Sequence, residues 1–281
     1  MTFCNVCQLH SALCHGKVGS NMTLSIVIRG ADGLVFATES RTTLDWPEPL
    51  PDGSKPTMFH DASHKLLTFK KPNNFVAAVT SGIGGIGNRS VYSFIPDIEA
   101  KIKGDMAVEN FAKLLSNFFK AKWKATPELT ELKNASMDFL IGGFNKKEPD
   151  SHVYGVSIPT QPKPIELQNG VFWIGQKEIS HRLVKGYPIL FPKIVSEKLS
   201  LNDEQVKSIL NVLKPFELIF PWPGMGLQGY VDVAMLLIRT TIETQRLTVC
   251  KRECGGPIDV ATITRKEGLH YVQVKEITAE L

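Results

Sequence analysis

Regular pattern begins abruptly at residue 23. TLSIVIRG (23–30) and LVFATES (34–40) are β-rich strings, and ADG (31–33) between them is a turn signal, so residues 23–40 read as a hairpin with a tight turn. HKLLTF (64–69) and NFVAAVTS (74–81) read as a second strand pair, with KKPN between them. Residues 44–63, rich in Pro, Asp, Gly and Ser, read as a loop joining the two pairs.

Helical spacing follows. A helical segment is expected near 88–102. In 105–125 the apolar residues Val108, Phe111, Leu114, Leu115, Phe118 and Phe119 fall on one helix face. MDFLIGGF (137–144), HVYGVSIP (152–159) and a run near 171–174 read as strands. Residues 176–186 and 200–214 read as helices, and 218–229 as a Pro/Gly-rich loop. YVDVAMLLIRTTIETQR (230–246) carries Val231, Ala234, Met235, Ile238 and Ile242 on one face. GGPIDVATITRKEGLHYVQV (255–274) closes as a hairpin around Lys266-Glu267-Gly268. The order is strands, two helices, strands, helices, strands. It lacks the regular alternation of a doubly wound parallel sheet, and α+β layering fits better. No internal repeat is present.

At 281 residues and 31.1 kDa the chain suits one large domain or a domain with insertions. Apolar residues at 43% and charged residues at 21% exclude disorder as the main state, and 5 cysteines are too few for a disulfide scaffold. The net charge of +4 is scattered, so composition makes no case for nucleic-acid binding. No apolar run approaches the ~18–20 residues of a membrane helix. Residues 1–22 contain no continuous apolar block and do not read as a secretory signal, so a cytoplasmic, reducing location with free cysteines is expected. Cys4, Cys7, His10, Cys14 and His15 fit a zinc pattern only loosely. No second C-x-x-C completes it, and a leader or a stretch upstream of the true start is the simpler reading.

Gly82-Ile83-Gly84-Gly85-Ile86-Gly87 contains G-x-G-x-x-G after a strand. The segment beyond it reads as two successive helices rather than a helix and a strand ending in an acid, so dinucleotide binding is not expected.

Several segments together resemble the proteasome β-subunit family of N-terminal nucleophile hydrolases. They are Met22-Thr23-Leu24-Ser25-Ile26-Val27, LVFATESRTT (34–43), HKLLTF (64–69), VAAVTSG (76–82), MDFLIGGF (137–144) and CGGPIDVATITRKEG (254–268), spread over residues 23–268. The resemblance implies a four-layer αββα sandwich. It implies a catalytic Thr23 at the chain's mature N-terminus, Lys65 beside it, Glu39 orienting Lys65, and Gly82 as oxyanion donor. Arg41 and Thr43 fall at substrate-cleft positions. It implies peptide or unfolded protein as substrate, no cofactor or metal, and a ring-like or helical homo-oligomer, with an ATPase as a partner such an assembly could take.

The chemistry is coherent. A threonine hydroxyl is a poor nucleophile until its proton is removed. An α-amino group, with an ordinary pKa of ~7.7–8.0, is a base near neutrality within reach of its own Oγ. A neighbouring cation lowers that pKa further. A backbone N–H at the oxyanion is worth ~3–4 kcal/mol.

Three positions depart from the family pattern. Gln176 and Cys254 stand where the family has serines, and Lys251 where it has an aspartate; Glu253 is the nearest substitute acid. Met22 replaces the usual glycine before the threonine, which fits an initiator methionine better than autolysis. Residues 1–22 are therefore expected to be a leader, a propeptide or a start placed too early. Insertions near 44–62 and 187–229 suggest a divergent bacterial branch. The expected activity is a threonine endopeptidase. The alternatives are a non-catalytic structural subunit, or an amidase or transpeptidase of the same fold.

Overall fold

The computed structural model describes residues 23–45, 50–54 and 56–276. Their strands and helices run β1 (Leu24–Gly30), β2 (Gly33–Glu39), β3 (Thr42–Asp45), β4 (Thr57–His60), β5 (Leu66–Thr68), β6 (Val76–Gly82), β7 (Gly85–Ile86), β8 (Arg89–Ser90), α1 (Ile95–Glu99), α2 (Val108–Lys124), α3 (Pro127–Glu131), β9 (Met137–Phe144), β10 (Ser151–Ile158), β11 (Gln161–Leu167), β12 (Gly170–Gly175), α4 (Glu178–Lys185), α5 (Phe191–Leu199), α6 (Asp203–Leu213), α7 (Trp222–Leu247), β13 (Ile258–Thr264) and β14 (Gly268–Gln273).

The strands form two five-stranded antiparallel sheets, ordered β12-β1-β2-β13-β14 and β11-β10-β9-β6-β5. Side chains alternate faces along a strand, so one string feeds two cores. In β1, β2 and β13, Leu24, Ile26, Ile28, Val35, Ala37, Ile258 and Val260 pack under α7. From the same strands Val27, Leu34, Phe36, Ala261 and Ile263 turn inward to meet Ala77, Val79 and Leu140 of the second sheet. That sheet's outer face, with Val76, Ala78, Phe139 and Ile141, is covered by Phe111, Leu115 and Phe119 of α2. Each buried Val, Leu, Ile or Phe side chain among them contributes roughly 1.5–3 kcal/mol. Helix, sheet, sheet, helix is the four-layer αββα sandwich that the resemblance implied, α+β in class.

The hairpins at 23–40 and 255–274, the 64–81 strand pair and the 105–125 helix form as the patterns predict. Three expectations fail, and one strand for which there is no expectation appears. TMFH, expected in a loop, is β4, which pairs with β3 (Thr43 opposite Phe59). All four of its residues are exposed, so no inside–outside alternation betrays it. A helical segment is expected to begin near 88, but residues 85–90 form the β7–β8 hairpin, with Gly87 at φ +57° supplying its turn. QPKPIEL holds two prolines yet forms β11. It is an edge strand, where a missing N–H is tolerated. The Pro/Gly-rich stretch 218–229 is helical from Trp222. A proline in the first turn suits a helix start, and Gly226 (φ 62°, ψ 176°) takes up the kink.

Candidate functional site

A cleft of about 730 Å³ opens at the end of the sandwich where β1 begins and β6 ends. Thr23, Arg41, Thr43, Lys65 and Gly82 all line it, so five of the six residues singled out from the sequence share one surface. The sixth, Glu39, is wholly buried behind Lys65.

Thr23 is buried at the head of β1. Its carbonyl accepts the Gln176 N–H at 2.7 Å, where β12 ends. This closure requires glycine at 175: φ is +86°, and a Cβ there would lie 1.7 Å from the Thr23 carbonyl oxygen. Gly82 is held likewise, at φ +84°, with the Ser136 carbonyl 2.1 Å from the Cβ position.

Lys65 Nζ donates to Glu39 Oε1 at 2.5 Å and to the Arg41 carbonyl. The other Glu39 oxygen accepts the N–H groups of Arg41 (2.8 Å) and Gly255 (2.9 Å). Burial pushes the Glu39 carboxyl above the ordinary glutamate range, while the Lys65 ammonium and the two backbone donors pull it back. A buried charge needs such partners, and this carboxylate has three. The net effect is an ammonium held in a fixed direction at the cleft wall.

Arg41 contributes its backbone to that network, and its guanidinium is bidentate to Asp61 (2.7 Å to each oxygen). The hydrogen-bonded guanidinium holds Asp61 below the usual carboxylate range, and Asp61 in turn raises Arg41. Arg41 also lies 5.0 Å from the centre of the Phe59 ring. It thereby ties the β3–β4 hairpin to the body of the fold. Gly255 and Gly256 lie against this pair, where a Cβ would meet the Arg41 guanidinium at 2.4 Å and Asp61 at 2.8 Å. The Gly-Gly step is thus explained by packing.

The departures from the family pattern also meet. The Gln176 side-chain amide donates to the Glu253 carboxylate, so the residue that binds the Thr23 carbonyl through its backbone is braced from the 250–254 segment. Cys254 is buried, its backbone N–H donates to Gln245 (2.8 Å), and burial pushes its thiol well up, away from the reactive thiolate form.

Sequence reasoning missed Asp61, which lies in the stretch taken for a loop and carries no local signal. It also missed Ser81 and Thr80. These two line the cleft with Thr43, and all three hydroxyls are buried without a hydrogen-bond partner among the described residues. A third miss is the buried ion pair of Asp259 with Lys275. Among the described residues no cluster of three His, Cys, Asp or Glu could hold a metal. Cys4, Cys7, His10, Cys14 and His15 lie outside them, as does Met22. No helix among them is long and apolar enough to cross a membrane.

The chain is an αββα sandwich. Its fold is similar to that of a Gly-1 mutant of Anbu from Hyphomicrobium sp. strain MC1, with a TM-score of 0.55 and 16% identity over 92% of this chain and 88% of that one. It is similar also to Anbu (ancestral beta-subunit) from Yersinia bercovieri, with a TM-score of 0.52 and 16% identity over 90% and 88% of the two chains. No family model matches, and no curated protein matches. These findings correct the assignment to the proteasome β-subunit family that the motifs suggest. The likeness reaches the fold and stops there. The physical reason is visible in the strings that carried it: IDVATIT and VAAVTSG are core strands, and their residues are demanded by two stacked sheets whatever the family.

Proposed function

We propose that this protein is a threonine-dependent peptidase in which Thr23 is the nucleophile and its own α-amine the base. The observation that carries this reading is the placing of Thr23 and Lys65 on one cleft, with the Lys65 ammonium held by a buried Glu39. In this mechanism the amine takes the Oγ proton as Oγ attacks a peptide carbonyl. The nearby ammonium lowers the amine pKa and keeps it a free base near neutral pH. The Gly82 N–H faces the tetrahedral oxyanion. The protonated amine then gives its proton to the leaving nitrogen, and water, deprotonated by the amine, releases the acyl group. Arg41 holds the cleft wall through Asp61, and the Thr43 backbone receives an extended peptide as an added strand. The substrate is a peptide or an unfolded protein, and the enzyme works in the cytoplasm as a ring-like or helical homo-oligomer that shelters the site from folded proteins.

The reading needs Thr23 to carry a free amine. Intact-mass analysis and N-terminal sequencing of the purified protein test this. A species beginning at Thr23 that cleaves fluorogenic peptides, with Thr23→Ala inactive, supports it. A chain that retains residues 1–22 and cleaves nothing rejects it. A second reading, a non-catalytic structural subunit of the same fold, draws on Gln176 and Lys251 at positions where the family pattern has a serine and an aspartate. That chain would be inert and would keep its full mass.

A further inference from the structure

We propose that Ser81 is the hydroxyl that receives the α-amine of Thr23. This rests on the reading of Thr23 as nucleophile and adds a positioning residue to it. Ser81 is 3% exposed, and its Oγ is buried without a hydrogen-bond partner among the described residues. A buried hydroxyl without a partner is costly, so such a group calls for a partner that is formed in the working molecule.

The surroundings narrow what that partner is. Along β6 Ser81 alternates with Ala77 and Val79, which face the space between the sheets. It therefore points toward the strand that begins at Thr23. The two residues flank one point: a Cβ on Gly175 would lie 1.7 Å from the Thr23 carbonyl oxygen and 3.2 Å from Ser81 Cβ. The Ser25 hydroxyl, which donates to the Thr80 carbonyl at 3.0 Å, stitches β1 and β6 together at this same level. A second nearby acceptor makes no bond to Ser81. Asp138 stands opposite Ser81 in the sheet, but its two oxygens accept from Ser136 (2.9 Å) and Ser157 (2.5 Å).

A freed amine at residue 23 carries more N–H donors than its own Oγ can use. The Ser81 oxygen accepts one of them and fixes the direction of the amine lone pair toward the Thr23 hydroxyl. The charged groups around that amine are Lys65 and His64 on the approach to β5, Glu39 of β2 behind Lys65, Arg41 with Asp61, Arg89 of β8 with Asp97, Glu253 through Gln176, and Asp138 of β9.

The test is the pH profile of kcat and KM for Ser81→Ala and Ser81→Cys, on a peptide that Thr23→Ala does not cleave. Ser81 stabilises the protonated amine, so its loss moves the acid limb of the kcat profile to lower pH, by roughly half a unit. The plateau kcat falls about tenfold, with KM within about twofold of wild type. Ser81→Cys, nearly isosteric with a weak acceptor, gives the same shift and decides the matter if Ser81→Ala does not fold. An unmoved acid limb and unchanged kcat in the folded variants, with Thr23→Ala inactive, overturn this proposal alone. A Thr23→Ala enzyme as active as wild type overturns both this and the reading it rests on.

Discussion

Lys65 and Glu39, 26 residues apart, form an ion pair of 2.5 Å in which the carboxylate is completely buried and the ammonium reaches the wall of the cleft that holds Thr23. Removing one partner strands the other. Glu39→Ala is expected to cost about 3–5 kcal/mol, the penalty of an uncompensated buried charge, and Glu39→Gln less. Lys65→Ala is expected to abolish peptide cleavage even at temperatures where it stays folded. Urea melts and peptide assays on the same preparations separate the two effects.

Gly175 is expected to tolerate no side chain. The left-handed backbone alone costs roughly 1–2 kcal/mol for an L-residue, and the Cβ overlaps the Thr23 carbonyl oxygen. Gly175→Ala should lose more than about 2 kcal/mol. Gly53→Ala is the control: φ is +80° there too, but nothing lies near the Cβ position. A melt in which both variants lose the same amount would show the contact to be immaterial.

The Arg41–Asp61 pair sets a pH dependence. Asp61 has its folded pKa below the ordinary 3.8, because of Arg41. Its contribution is therefore present above that ordinary value and is lost as pH falls through the lower, folded one. Asp61→Asn should be less stable than wild type by about 1 kcal/mol near neutrality, a figure kept small by the partial exposure of Asp61. The gap should narrow on acidification below pH 3.8. Glu39, with its pKa raised from 4.5, acts oppositely: its contribution is full below that value and is lost as pH rises through the folded pKa. Thermal melts of wild type and Asp61→Asn across pH 3–7 check the first sign. The same series on Glu39→Gln checks the second.

Cys254 is expected to be inert in the folded protein. Its thiol is buried and its pKa raised by that burial, whereas Cys250 is partly exposed. Iodoacetamide followed by peptide mass mapping should label Cys250 first and Cys254 only in denaturant. Cys254→Ser should keep peptide cleavage. Rapid native labelling of Cys254 with loss of activity would point to a cysteine in the chemistry.

What the sequence determined by itself is local. A period-2 string around ADG, a 3.6-period stripe through Phe111, Leu115 and Phe119, and a charged turn at 266–268 each select a conformation from near neighbours, and all three appear in the structure. The same strings brought Thr23, Lys65 and Gly82 forward as a group. Where pattern was weak or hidden, the reading failed: β4 is exposed on every residue, and β11 survives its prolines only as an edge. The family resemblance overreached because core strands of stacked sheets share their alternation with any chain that builds the same sandwich.

Only the tertiary structure decided who partners whom. Arg41 turned to Asp61, Gln176 to Glu253 across 77 residues, and Ser81 to the cleft that Thr23 also lines, because the packing of the sheets brought them there. Periodicity specifies which face a side chain takes. It does not specify which distant strand will lie against that face, and a buried polar group acquires its partner, its pKa and its use only once that choice is made.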